Sequence, residues 1–190
     1  MGSPDEENSV TVASPFFLWF TGLSGAGKST VAALVSDELR RRGISFLELD
    51  GDVLREGLNS DLSFSDEDRR ENVRRIGEVA RLFMMHGESV IVGAIAPFRD
   101  SREHVRARCN VGQFVEIFVD APMSETERRD TKGLYARARA GTLANFTGID
   151  SPYEAPLDPE VHLHTDRETP EESAAKVVAY LETHCLLAEA

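Results

Sequence analysis

The alternation of apolar segments along this chain predicts a three-layer α/β domain, with helices on both faces of a mainly parallel sheet of five strands. Short segments rich in β-branched and aromatic residues alternate with longer amphipathic ones. The predicted strands are residues 16–20, 44–49, 89–94, 114–119 and 161–164. The predicted helices are residues 29–42, 66–86, 98–108 and 170–184. Strands that are apolar almost throughout are typical of a parallel sheet that is covered on both faces.

Local signals support the boundaries of these elements in chain order. The first strand reads FFLWF, and the helix after it ends in three arginines and Gly43, which tolerates the left-handed conformation of a C-terminal cap. Ser65 and the acids that follow it suit the N-terminus of the second helix, because a hydroxyl and negative charges satisfy its free N–H groups. The next two strands read SVIVGA and FVEIFV. Thr169 and Pro170 then begin the last helix.

The chain has 190 residues and a formal net charge of −12, from 21 basic and 33 acidic side chains. This length fits a single domain, which we place at residues 15–190 after a disordered tail at 1–14 that lacks the pattern of a secretory signal. An acidic total disfavours general nucleic-acid binding, and no apolar run reaches the roughly 20 residues that span a membrane. Cys109 and Cys185 lie far apart, which does not suit a disulfide framework. We therefore expect a cytoplasmic protein with neither a nucleic acid nor a membrane as partner.

Residues 22–29 read GLSGAGKS and match the phosphate-loop pattern G-x-x-x-x-G-K-[S/T] between a predicted strand and a predicted helix, the context of a P-loop NTPase. The glycines let successive N–H groups point at phosphate oxygens. Lys28 can reach the outer phosphates, and the Ser29 hydroxyl can ligate Mg²⁺. The pattern therefore predicts a nucleoside triphosphate site. Its residues are predicted to be Gly22, Leu23, Ser24, Gly25, Ala26, Gly27, Lys28, Ser29 and Thr30.

Acids and histidines at predicted strand ends offer further chemistry. Asp50 and Asp52 flank a glycine where the second strand should end, at the edge of the sheet that faces the ligand crevice. One carboxylate could accept a proton from a hydroxyl nucleophile and the other could hold water bound to Mg²⁺, with a plain acidic turn as the alternative. Asp120 also ends a strand, but it could equally cap the next turn, so we leave it unassigned. His162 and His164 could suggest a metal, yet two histidines without a third ligand are more often structural.

Residues 123–157 are rich in Arg, Gly, Pro and Asp and are longer than an ordinary loop. A segment of this kind is usually functional and is often a lid that closes over a ligand. We therefore expect a mobile lid at about 123–157, in which Arg128, Arg137 and Arg139 are secondary candidates for phosphate contacts. The N-K-x-D pattern that reads guanine is absent from the sequence, which makes a GTPase switch less favoured.

Six stretches are more specific than the phosphate loop alone. They are FTGLSGAGKS (20–29), LDGDVLR (49–55), FSDEDRREN (64–72), IAPFR (95–99), RDTKGLY (129–135) and NFTGIDSPYE (145–154). Together they resemble the adenylyl-sulfate kinase (APS kinase) family, over about residues 15–181. The resemblance implies transfer of the γ-phosphate of MgATP to the 3′-hydroxyl of adenosine 5′-phosphosulfate (APS), as a step of sulfate assimilation.

The resemblance also implies roles for the matching residues. Lys28, Asp52 and Lys132 would be the catalytic residues, with Asp52 facing the 3′-hydroxyl as orienting group or base. The phosphate loop would bind ATP. The cofactor would be Mg²⁺, held by Ser29 and, through water, by Asp50.

For the acceptor, the resemblance implies that Phe64 and Phe146 sandwich the adenine of APS. The implied APS-binding residues are Asp52, Arg55, Phe64, Arg69, Asn72, Ile95, Ala96, Lys132, Asn145 and Phe146. Many bacterial members carry serine, often described as a phosphoserine intermediate, where this chain has Ala96. An alanine cannot be phosphorylated, so we expect direct, in-line transfer.

Two other functions stay open at this point. A P-loop kinase for another nucleotide or a small alcohol is the alternative among enzymes, although the paired phenylalanines favour a purine acceptor. A non-catalytic nucleotide-binding module is the alternative outside enzymes. The presence of Lys28, Ser29, Asp52 and Lys132 argues against it. The partners that the resemblance implies are ATP, APS, a second copy of the chain in a homodimer, and a separate ATP sulfurylase that supplies APS.

Overall fold

Five strands form one sheet in a computed structural model, which describes residues 14–184 and 186–187. The strands are β1 (Phe17–Thr21), β2 (Phe46–Asp50), β3 (Ser89–Gly93), β4 (Phe114–Asp120) and β5 (Val161–His164). Their order is β2-β3-β1-β4-β5, and every neighbouring pair is parallel. The predicted five-stranded parallel sheet is therefore confirmed. The tail predicted at 1–14, except Ser14, and the residue Cys185 lie outside the described residues.

Seven helices occur in the part of the chain that the structure describes. They are α1 (Lys28–Arg41), α2 (Gly51–Glu56), α3 (Asp66–Met84), α4 (Arg99–Arg106), α5 (Met123–Arg129), α6 (Leu134–Arg139) and α7 (Pro170–Thr183). The four predicted helices are present, and the predicted caps form: Ser65 accepts the Asp68 N–H, and Thr169 forms a capping box with Glu172. The short helices α2, α5 and α6 were not predicted. Within residues 14–184 and 186–187, no helix has the length and apolar character needed to cross a membrane.

Successive side chains of the fully buried central strand β1 point to opposite faces of the sheet, and each face packs against two helices. Leu18 and Phe20 join the cluster formed with α1 and α7. Phe17 and Trp19 join the cluster formed with α3 and α4. The three predicted layers are therefore present, with β1 in the middle of the core.

The strand order opens a crevice at the carboxyl ends of β1 and β3. From β1 the chain crosses through α1 to β2 at one edge, whereas from β3 it crosses through α4 to β4 on the other side. Because these two neighbouring strands lead away in opposite directions, their loops separate and leave a ligand site between them. The loop after β1 is the predicted phosphate loop.

A buried arginine joins the sheet to the two segments that bound this crevice. Arg102 on α4 is 1% exposed and donates from Nε to Oε1 of Glu116 on β4, over 2.5 Å. Its Nη1 donates to the Ala96 carbonyl at 2.6 Å and its Nη2 to the Glu154 carbonyl at 2.8 Å. One side chain therefore fixes both the loop after β3 and the end of the 123–157 segment.

The packing of α3 against α4 leads to a prediction about Gly77. A Cβ atom at this position would lie 2.7 Å from Cγ2 and 3.1 Å from Cγ1 of buried Val105, whose branched side chain has little rotamer freedom. Alanine is about 1 kcal/mol better than glycine inside a helix, but overpacking typically costs about 1–3 kcal/mol. We expect Gly77→Ala to lower the free energy of unfolding, measured by urea denaturation.

The control is the double variant with Val105→Ala, which removes both γ-methyl groups. We expect it to be more stable than the sum of the two single changes indicates, since the cavity and the extra methyl compensate each other. If Gly77→Ala is as stable as the parent, α3 and α4 can move apart without a loss in the free energy of unfolding, which would contradict the prediction.

Candidate active site

A cavity of about 1030 Å³ lies at the carboxyl ends of the strands, between the phosphate loop and the 123–157 segment. Most of the predicted site residues line it, and they come from six separate stretches of the chain. They are Ser24, Gly25, Gly27, Lys28, Ser29, Thr30, Asp50, Asp52, Arg55, Phe64, Arg69, Asn72, Ile95, Ala96, Lys132, Asn145 and Phe146. The remaining three, Gly22, Leu23 and Ala26, belong to the phosphate loop but do not form the cavity wall.

The phosphate loop depends on glycine at its first position. Gly22 has φ +143°, and a Cβ atom there would lie 2.2 Å from the carbonyl oxygen of Val119 on β4. No side chain fits that distance, so the loop can leave β1 close to β4 only with glycine. Gly27 then takes a left-handed conformation directly before α1, whose N-terminus thereby faces the cavity.

Lys28 lies folded over the phosphate loop. Its Nζ donates to the carbonyl oxygens of Gly22 at 2.9 Å and Leu23 at 2.8 Å. Burial lowers the pKa of Lys28 to about 8, an effect that the nearby carboxylate of Asp52 partly opposes. The ammonium is therefore largely protonated at neutral pH but poorly solvated, which favours the approach of an anion.

Asp52 and Lys132 form an ion pair across the mouth of the cavity. Asp52 lies in the first turn of α2 and Lys132 between α5 and α6, and the Nζ of the lysine donates to Oδ2 of the aspartate. The hydrogen bond from Asp52 raises the pKa of Lys132. Their side chains are 73% and 61% exposed, so water and ligands can reach both. The structure therefore brings together the two predicted catalytic residues that are 80 positions apart in sequence.

Asp50 shares its carboxylate between a helix and the cavity. Its Oδ1 accepts the backbone N–H groups of Asp52 at 2.7 Å and Val53 at 3.2 Å, which caps α2. The same residue lines the cavity together with Ser29. A serine hydroxyl and a carboxylate are the hard oxygen donors that Mg²⁺ prefers, so the donor set fits this ion.

Phe64 presents an aromatic ring at the cavity wall and is 48% exposed. The guanidinium of Arg55 lies over this ring, with Cζ 4.4 Å from the ring centroid. The Nη1 of Arg55 donates to the Ser63 carbonyl at 3.1 Å. A half-exposed ring next to a cation is suited to bind a flat, anionic ligand.

Arg69 ties the loop of Phe64 to the loop of Phe146. This arginine is 6% exposed and donates from Nε to the Phe64 carbonyl at 3.0 Å, from Nη1 to the Thr147 hydroxyl at 2.6 Å and from Nη2 to the Asn145 carbonyl. Three of its N–H groups are therefore bound to protein atoms. Its predicted contact with APS stays a prediction, while the structure gives it a positioning role between two aromatic residues.

The loop that carries Phe146 is stabilised by hydrogen bonds within its own segment. Asp150 accepts the backbone N–H groups of Asn145, at 2.7 Å, and of Phe146. Phe146 is 7% exposed and meets Tyr135 of α6 edge-on, with ring centroids 4.9 Å apart. Asn145 has φ +57°. These contacts explain why the restrictive sequence stretch 145–154 contains an aspartate that does not line the cavity.

The remaining predicted acceptor residues form the wall below Phe64 and Phe146. Asn72 accepts the side-chain N–H of buried Asn59 at 3.0 Å, while Ile95 and Ala96 follow β3. Ala96 has φ +45°, and the residue is 3% exposed. Its side chain offers neither a hydroxyl nor another nucleophile at this point of the cavity.

Two residues that sequence reasoning did not assign, Arg129 and Tyr135, also shape the site. Arg129 donates from Nη2 to the Thr165 carbonyl at 2.6 Å, and from Nη1 to the loop carbonyls of Gly25 and Ala26 at 3.4 and 3.3 Å. The hydroxyl of Tyr135 donates to the Ser24 carbonyl at 2.9 Å. Arg129 and Tyr135 begin and end the stretch RDTKGLY, which is the signal that could have identified them.

The secondary arginine candidates divide in the structure. Arg137 lines the cavity, and its contact with phosphate stays a prediction. Arg128 and Arg139 lie outside its wall and pair with Glu125 and Glu127.

Comparisons with known proteins agree with this geometry. A profile of the family described as adenylylsulphate kinase matches residues 14–164. The adenylyl-sulfate kinase of a Picosynechococcus species is 53% identical over 176 residues, which cover 93% of this chain and 95% of that protein. The structure of the Mycobacterium tuberculosis APS kinase CysC in complex with AMPPNP and APS matches with a TM-score of 0.84 at 49% identity, covering 88% of this chain and 98% of the other.

A longer relative also matches. The bifunctional enzyme CysN/CysC of Xylella fastidiosa is 55% identical over 168 residues, which are 88% of this chain but 27% of that enzyme. The chain therefore spans about a quarter of the length of this relative. The profile and the relatives together confirm the resemblance read from the six sequence stretches: the chain belongs to the adenylylsulphate kinase family.

Proposed function

We propose that this protein is an ATP-dependent adenylyl-sulfate kinase, which transfers the γ-phosphate of MgATP to the 3′-hydroxyl of APS and releases 3′-phosphoadenosine 5′-phosphosulfate (PAPS) and ADP in sulfate assimilation. The observation that carries the proposal is that one cavity contains the phosphate loop, the Asp52–Lys132 pair and both phenylalanines. Its volume of about 1030 Å³ is at the upper end for small-molecule sites, as two nucleotides side by side require.

ATP binds through its phosphates at the phosphate loop. The N–H groups of the loop and the N-terminus of α1 favour anions. Phosphate oxygens also replace the water contacts that burial removes from the Lys28 ammonium. Ser29 and, through water, Asp50 would hold Mg²⁺, which would supply positive charge beside the phosphates of ATP.

APS binds between the two aromatic loops. Phe64 and Phe146 stack on the adenine, because a flat base gains about 1–3 kcal/mol from each aromatic contact of this kind. Arg55 provides a cation for the phosphosulfate, and Asn72 has a free amide N–H₂ at the wall for the sugar. Arg69 keeps both rings in place through its backbone contacts.

The chemical step is a direct displacement at phosphorus. The 3′-oxygen of APS attacks the γ-phosphorus, the bond between that phosphorus and the β–γ bridging oxygen breaks, and ADP leaves. The carboxylate of Asp52 orients the 3′-hydroxyl and accepts its proton. Lys132 then offsets negative charge as the phosphoryl group moves, since its ion pair with Asp52 ends when the carboxylate is protonated. Ala96 supports direct transfer, because its methyl group cannot carry phosphate.

The proposed activity is tested by ADP formation in a coupled assay with purified protein, MgATP and APS. We expect ADP to form only when APS is present, and the intact mass of the protein during turnover to stay that of the unphosphorylated chain. Turnover with a different alcohol but not with APS would favour the general P-loop kinase. ATP binding without turnover on any acceptor would favour the non-catalytic module. An added mass of one phosphate that decays with product formation would contradict direct transfer.

The role of Asp52 predicts the effect of Asp52→Asn. The amide keeps the shape of the side chain but cannot accept the proton, so we expect kcat to fall on the order of 10²–10⁴-fold while the Kd for ATP changes little. Steady-state kinetics and equilibrium nucleotide binding measure the two quantities. Glu56→Gln is the matched control, since Glu56 is an exposed acid at the other end of α2 and lies outside the cavity wall. A kcat within twofold of the parent would remove Asp52 from the mechanism.

The geometry of Arg69 predicts a selective effect on the acceptor. Arg69→Lys retains a positive charge but loses the forked contacts with the Phe64 and Asn145 carbonyls, so the two rings are no longer held. We expect the KM for APS to rise on the order of tenfold, which corresponds to about one lost hydrogen bond, with an unchanged KM for ATP. Kinetics with each substrate varied in turn measure the difference.

Arg74→Lys serves as the control for that experiment, because Arg74 is an exposed arginine on the same helix and, among the described residues, pairs only with Glu71, at 2.7 Å. Equal increases in both KM values for Arg69→Lys would contradict a role confined to the acceptor loops.

The homodimer and the separate ATP sulfurylase remain predictions from the family resemblance.

A further inference from the structure

The parallel pairing of β4 with β5 brings together three side chains that the sequence left without a role. Asp120 lies opposite His164 in the register, and Phe118 lies opposite His162. Because alternate residues of a strand share a face, the carboxylate of Asp120 and the two imidazoles lie on the same side of the sheet. The histidines therefore acquire the third potential ligand that the sequence could not identify.

The distances between these groups suit a single bound ion. The His162 Nε2 lies 3.0 Å from the Asp120 Oδ2, and the His164 Nδ1 lies 3.8 Å from the same oxygen. One donor atom from each residue can be chosen so that all lie within 4.8 Å of one another. Zinc bonds of about 2.0–2.2 Å place the ligands of one ion roughly 3–4 Å apart. We infer that Asp120, His162 and His164 form a binding site for a divalent transition-metal ion of the Zn²⁺ class.

The chemistry of the donors selects the class of ion. Two imidazoles and one carboxylate suit zinc and its first-row neighbours, whereas Mg²⁺ and Ca²⁺ prefer oxygen ligands alone. The side chains of Asp120, His162 and His164 are 38%, 43% and 44% exposed, so an ion can enter from solvent and keep water in its remaining positions. The site thus has the three protein ligands and the open position typical of a non-structural zinc site.

The surroundings orient the ligands before an ion binds. The ring of His162 stacks on Phe118 with centroids 4.8 Å apart, and Phe118 in turn stacks on Tyr153. The His162 and His164 rings lie 4.2 Å apart. These ring contacts place both imidazoles beside the single carboxylate of Asp120.

This site is separate from the nucleotide cavity but close to it along the chain. None of its three residues lines that cavity. The next residue, Thr165, donates from its backbone to the Asp120 carbonyl at 2.9 Å and from its hydroxyl to the Ala26 carbonyl of the phosphate loop at 2.6 Å. A bound ion therefore fixes the turn that supports one side of the phosphate loop.

The test uses the full chain without a polyhistidine tag, stripped of metal by a chelator that is then removed. Titration with Zn²⁺ alone, followed by isothermal calorimetry, should show one ion per chain. We expect His162→Ala and His164→Ala each to weaken binding at least about 100-fold, since each removes a ligand. His86→Ala is the matched control, because His86 is an exposed histidine beyond the end of α3 and should leave the Kd unchanged.

A second measurement distinguishes lost binding from lost folding. The melting temperature of the parent and of His86→Ala should rise on addition of Zn²⁺, whereas that of His164→Ala should not, and all three should melt cooperatively without metal. The inference would be overturned if the parent does not bind Zn²⁺. It would also be overturned if the parent, His162→Ala and His164→Ala bind Zn²⁺ with equal affinity. Since neither measurement uses ATP or APS, the result is independent of the proposed kinase activity.

Discussion

The buried ion pair between Arg102 and Glu116 determines where the walls of the cavity lie. Taking two charges out of water costs several kcal/mol per ion, and such a pair is favourable only when the guanidinium and carboxylate are fully used. Here the guanidinium also binds the carbonyls of Ala96 and Glu154, and Arg106 reaches the second carboxylate oxygen at 3.1 Å. Ala96 can therefore hold a positive φ next to β3, and the segment over the cavity ends at a fixed point. The acceptor pocket is built on this one contact between α4 and β4.

The 123–157 segment is attached with different strength along its length. Its end is held by the buried Arg102, and Arg129 near its beginning binds the phosphate loop and Thr165. Its middle is held by Arg69, which donates to Thr147 and Asn145, and by Tyr135, which donates to the Ser24 carbonyl. The Lys132–Asp52 pair is a weaker contact, since exposed ion pairs contribute only about 0–1 kcal/mol. A substrate hydroxyl that competes for Asp52 therefore releases the weakest attachment and leaves the strong ones intact. The mobility of residues 123–157 as a lid stays a prediction.

Local and periodic features of this protein were readable from its sequence, and contacts between distant residues were not. Apolar runs identified the five strands, and Ser65 and Thr169 marked two helix starts correctly because a cap involves only the next few residues. The six residues of α2 carry too little periodicity to be recognised. Arg69 links the two loops through contacts with residues 76 and 78 positions away. Its residue type alone therefore indicated that it binds an anion. The family resemblance identified the site residues within its motifs. It did not identify Arg129, which begins the stretch RDTKGLY.

Distance in sequence also explains why Asp120, His162 and His164 were not recognised as one group of ligands. Ligand chemistry explains how this site and a magnesium site can coexist. Asp120 and His164 are neighbours only because β4 and β5 pair in parallel with one particular register. In the proposed function, Ser29 and Asp50 would offer oxygen donors to Mg²⁺, an ion that gains little from imidazole. Zinc and its neighbours gain most from the two histidines, which the cavity wall does not contain. An ion at the sheet edge therefore need not compete with the nucleotide's own metal. Thr165 connects this edge to the phosphate loop, through its own bond to the Ala26 carbonyl and through Arg129, which binds Thr165 and the loop.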